Sequence, residues 1–130
     1  MDEKIIYWKE MSDYDIETAE AMLLSKRYLY VGFMCHQAIE KIFKAFYIKN
    51  KNKLQPYTHN LSYIAKKGEF YNLLSEQQKD LIDTLEPLNI EARYPSHKER
   101  LFKSLNENKC NQIIKETKNL KQWTEKMLLK

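Results

Sequence analysis

Glycine and proline are nearly missing from this chain, at 2 and 3 of 130 residues. Strand-to-strand turns draw on both, so an all-β fold is excluded, and so is a glycine-rich phosphate loop. Cysteine is equally sparse. Cys35 and Cys110 lie far apart and no Cys-x-x-Cys pair exists. Without such pairs a zinc site is not expected, and two buried free thiols in a reducing cytosol are the simple reading. Long apolar runs are also lacking. The longest near-apolar stretch is residues 28–35, whereas spanning a bilayer takes about 20 residues. Met1-Asp2-Glu3-Lys4 lacks the apolar core of a secretion signal. A cytoplasmic location, no membrane contact, no metal and no cofactor are therefore expected.

What is present is helical in character. Charged residues make up 31% of the chain, mostly Lys and Glu, as solvated helix faces require. The net charge of +4 permits contact with phosphate without demanding it. At this length one domain is expected over residues 1–130. Five helical segments can be read. In residues 5–25, Trp8, Met11, Ile16, Ala19, Met22 and Leu23 make one apolar face, with Asp15 on or beside it. Residues 28–49 form a second helix whose buried stripe is Val31, Cys35, Ala38, Ile39, Ile42, Ala45 and Phe46. Gly32 costs about 1 kcal/mol inside a helix, so close approach of a neighbouring helix is expected there. Thr58 is placed to cap a short helix over residues 59–67, with Gly68 closing it. Ser75-Glu76-Gln77-Gln78 reads as a capping box opening the fourth helix, which Pro87 should kink or interrupt. Residues 92–105 have no clear period and read as a loop. A last helix starts near Asn106, with Lys115, Lys118, Lys121, Lys126 and Lys130 on its wet face.

Two clusters carry the candidate chemistry. His36, Glu40 and Lys44 lie four apart along one side of the second helix, with Gln37, Lys41 and Lys44 beside them. One reading makes Glu40 a proton acceptor, the lysines phosphate ligands and His36 a donor. The other makes the stripe a solvated face with an ordinary Glu40–Lys44 pair. The second cluster is Arg93-Tyr94-Pro95. Arginine's planar fork suits phosphate or carboxylate, so Arg93 is expected either to bind a ligand or to pair with a buried carboxylate such as Asp15. His97, four positions on, allows a catalytic pair in which His97 moves a proton and Arg93 stabilises charge on phosphorus. It also reads as a plain surface histidine.

Four runs occur in an order that resembles the HEPN domain family: Asp15-Ile16-Glu17-Thr18-Ala19, Gln37-Ala38-Ile39-Glu40-Lys41-Ile42-Phe43-Lys44-Ala45, Thr58-His59-Asn60-Leu61 and Ala92-Arg93-Tyr94-Pro95. The resemblance spans roughly residues 8–128. It implies an all-α, four- to five-helix up-and-down bundle that forms homodimers. It also implies a minimal nucleotidyltransferase partner in a toxin–antitoxin or defence-type system. Many members are metal-independent endoribonucleases with an arginine, four to six residues, then a histidine. Here three residues separate Arg93 from His97, which favours the Arg-Tyr-Pro branch and nucleotide or partner binding. On that reading Gln37, Glu40, Lys41, Lys44, Arg93 and Tyr94 bind the ligand, and Asp15 and His59 support them. An endoribonuclease using Arg93 and His97, acting on RNA, is the alternative, and a non-catalytic assembly subunit a further one.

Overall fold

The computed structural model describes residues 2–91 and 105–130, with backbone alone at 90 and 91. All regular structure among these residues is helical. α1 spans Glu3–Leu24, α2 Tyr28–Lys51, α3 Leu61–Lys67, α4 Glu76–Glu91 and α5 Glu107–Leu128. A 3-10 turn at Tyr71–Leu73, not anticipated from the sequence, links α3 to α4.

The helix ends follow from local chemistry. Asp2 accepts from the Lys4 N–H and Asn106 from the Lys109 N–H, satisfying donors that a helix start leaves orphaned. Ser75 Oγ accepts from the Gln78 N–H at 3.1 Å while Gln78 Oε1 accepts from the Ser75 N–H at 2.8 Å, the reciprocal capping box expected there. At α3 the cap moves. Asn60, rather than Thr58, takes the Tyr63 N–H, and Thr58 instead accepts from the Asn60 N–H. The helix therefore begins at Leu61 and His59 lies outside it. Pro87 does not end α4, which runs on to Glu91.

The two glycines are used for packing, not for turns. Among the described residues the left-handed positions are held by Lys26, Asn52 and Glu69, at a cost that glycine would have avoided. A Cβ on Gly32 would fall 2.7 Å from Leu88 Cδ1, so α4 does approach α2 closely at that point. A Cβ on Gly68 would fall 2.6 Å from the Phe70 ring. Gly68 closes α3 in an ordinary right-handed conformation. Its value is the space it leaves for Phe70.

α1 and α2 form an antiparallel hairpin through the three-residue turn at 25–27. Ser12 Oγ donates to the Ala38 carbonyl at 2.6 Å, and Lys44 Nζ lies over the Trp8 ring. α2 is the central element and packs against α1, α3, α4 and α5. Its burial extends well beyond the expected stripe, taking in Phe43, Tyr47 and Ile48. The core continues through Ile64, Phe70, Ile82, Leu85, Ile113 and Leu120. Lys121 is also buried, against the expectation of a wet face. Lys121 pairs with Asp13 and Glu125, and Lys9 pairs with the same two carboxylates at 3.1 and 3.3 Å. This network ties α1 to α5.

Candidate functional site

The stripe on α2 is not a solvated face. His36 is 0% exposed, Glu40 3% and Lys44 7%. Taking charges out of water costs several kcal/mol per ion unless close partners compensate, and partners are present. Glu40 Oε2 accepts from Lys44 Nζ at 2.9 Å. Glu40 Oε1 accepts from His59 Nδ1 at 2.8 Å, and His36 Nδ1 lies 3.9 Å from the same oxygen. Glu40 thus joins a cation one turn along its own helix to a histidine from the loop before α3. On the far side of His36, Nε2 is 3.7 Å from Glu86 Oε1, beyond hydrogen-bond reach, and that oxygen accepts from the Leu61 N–H. Glu86 therefore ties α4 to the start of α3.

A second pair lies beside the first. Lys41 donates to Asp15, which is buried on α1. Burial raises the Asp15 carboxyl above its ordinary range, Lys41 opposes that, and the nearby Glu40 charge adds to it. Asp13, two residues earlier, shifts the other way. Burial pushes it up, but the bonds from Lys121 and Lys9 outweigh burial and leave it lowered. Gln37 Nε2 donates to Asn89 Oδ1 at 3.1 Å, which links α2 to the end of α4.

The structure therefore brings Asp15, His36, Gln37, Glu40, Lys41, Lys44 and His59 into one polar array built by α1, α2, the loop before α3, and α4. Arg93, Tyr94 and His97 lie outside the described residues, and with them the Arg93–Asp15 pair that was one of the two readings of Arg93. Sequence reasoning missed Glu86, Asn89 and Trp8 as neighbours of the array. Glu86 and Asn89 flank Pro87, where a kink or interruption of the fourth helix was expected, and Trp8 was read only as part of an apolar face. Among the described residues, no group of His, Cys, Asp and Glu could hold a metal ion, and no helix is long and apolar enough to cross a membrane.

Both thiols stand apart from this array. Burial pushes Cys35 up to about 12 and Cys110 up to about 11. The thiolate is the reactive form, so both should label slowly with a disulfide reagent at pH 8 in the folded protein and rapidly in denaturant. Fast labelling of the native chain would contradict this burial.

A helical bundle whose interior holds a fixed array of charges, carried mainly by one central helix, defines the class. The HEPN domain family model matches residues 5–127. The chain belongs to the HEPN domain family. No curated protein and no solved structure matches it significantly.

Proposed function

We propose that this HEPN domain is a binding module for a nucleotide or nucleic-acid phosphate. On this reading it acts as a homodimer with a minimal nucleotidyltransferase partner in a toxin–antitoxin or defence-type system. One observation carries the reading. A small bundle keeps His36, Glu40 and Lys44 in its interior, where apolar residues of similar volume would commonly be as stable or more so. Groups retained against that cost point to a ligand. Lys41 and Lys44, held in place by Asp15 and Glu40, supply the positive edge. Arg93, which lies outside the described residues, is assigned to the phosphate for its planar donor, and Tyr94 to the base. Gln37 lines the α4 side.

Calorimetric titration of the purified chain with ATP, AMP and a short RNA tests the reading. Saturable binding, weakened by Arg93→Ala, is expected. If none of the three binds, the module reading fails. If Arg93→Ala binds as well as the wild type, the Arg-Tyr-Pro turn is not part of the site.

A further inference from the structure

We propose that His59 is the group that meets the ligand phosphate, and that Glu40 is the positioning residue that aims it. This rests on the phosphate-binding reading above and reassigns two of its residues. The side chain of His59 is 56% exposed, whereas Glu40 lies in the interior. Both Glu40 oxygens are engaged, one with His59 Nδ1 at 2.8 Å and the other with Lys44 Nζ at 2.9 Å. A carboxylate so placed, 3% exposed and with both oxygens already accepting, is not presented to a ligand. It does what the buried partners of working imidazoles do, which is to fix the ring's orientation and tautomer.

The bond to Glu40 puts a proton on Nδ1 and leaves Nε2 at the opposite edge of the ring. Among the described residues nothing bonds to that nitrogen. The backbone on either side of His59 is pinned, because Thr58 N–H donates to the Pro56 carbonyl and Asn60 N–H to Thr58 Oγ1. Ring and backbone are therefore both set before a ligand arrives, which lowers the ordering cost of binding. Lys41 is matched by Asp15 and Lys44 by Glu40. Glu86 faces His36 and the Leu61 N–H instead. Nε2 is then the open position at the exposed edge of the array, and a phosphate that carries its own proton donates to that lone pair, the shared proton making the bond charge-assisted.

Two measurements on the full chain test this. Ring nitrogen NMR reads the tautomer of His59. The Nδ1–H form is expected in the wild type. In Glu40→Gln the amide oxygen must turn toward the Lys44 ammonium, so its NH2 faces His59 Nδ1, and the ring proton should move to Nε2. A wild-type ring already in the Nε2–H form overturns the positioning role. Inorganic pyrophosphate is then titrated into wild type, His59→Ala and His59→Gln, with circular dichroism confirming the fold of each. About tenfold weaker binding is expected for His59→Ala, with partial recovery in His59→Gln, which keeps a hydrogen-bond acceptor at that edge. Equal binding by His59→Ala and wild type overturns the His59 assignment and leaves the phosphate-binding reading standing. No pyrophosphate binding by the wild type, together with none by the nucleotides, overturns both.

Discussion

Replacing Glu40 with alanine is expected to destabilise the fold by about 3–5 kcal/mol, the usual loss when one partner of a buried ion pair is removed. Lys44 is the reason. Its ammonium is held at 2.9 Å by Glu40 in the interior, and without that carboxylate it stays buried and uncompensated. Its contact with the Trp8 ring, at 5.3 Å to the centroid, replaces only part of the loss, since a cation–π contact contributes about 0.5–2 kcal/mol. His59 loses its acceptor at the same time. The double variant Glu40→Leu/Lys44→Met separates the effect of the charge from that of the pair. Removing both charges and keeping the volume should recover most of the stability. Urea denaturation of the three proteins measures it. A loss under about 1 kcal/mol for Glu40→Ala would mean that Lys44 reaches water easily.

The second large effect is expected at Phe70. Truncation to alanine should cost about 3–5 kcal/mol, as for other fully buried aromatic side chains. Phe70 follows α3 and is completely buried. Its ring packs edge-on to Phe43 at 5.1 Å and against Phe46 at 4.5 Å, and Phe46 in turn meets Trp123 of α5. The ring also lies over Gly68, which leaves it room. One side chain thus fastens the α3–α4 connection onto α2. Guanidinium unfolding of Phe70→Ala and Phe70→Leu gives the measurement. Leucine should lose clearly less than alanine, because it refills part of the cavity. Equal losses for the two would show that ring stacking, not filled volume, is what matters there.

Much of the architecture was legible in advance, for local reasons. Three-and-four spacing marked α1, α2 and α5, and the Ser75–Gln78 box and Asn106 marked helix starts, because capping is decided within a few residues. Gly32 announced a close helix contact, since a glycine costs too much inside a helix to stand there idly. Cap selection at α3 was less legible. Thr58 and Asn60 are both good capping residues, and the contact of Glu86 with the Leu61 N–H, across 25 positions, favours the start that follows Asn60. Pro87 offered the strongest breaking signal in the chain, yet α4 continues through it with Leu85 and Leu88 buried in the core on either side.

The polar stripe marks the boundary between the two kinds of information. By itself the sequence determined that His36, Glu40 and Lys44 share one side of a helix, because 3.6 residues per turn allows nothing else. It also determined the helical class, through the lack of glycine and proline and the periodic apolar residues. It could not say whether that side faces water, since a Glu and a Lys four apart read the same on a wet face and in a core. Lys121 posed the same ambiguity and was resolved the same way, by Asp13 arriving from α1. Only the tertiary structure brought His59 to Glu40 from 19 positions away and Asp15 to Lys41 from 26. Those long-range partners make burial of the charges tolerable, and with them in place the α2 stripe is an interior array with His59 at its exposed edge.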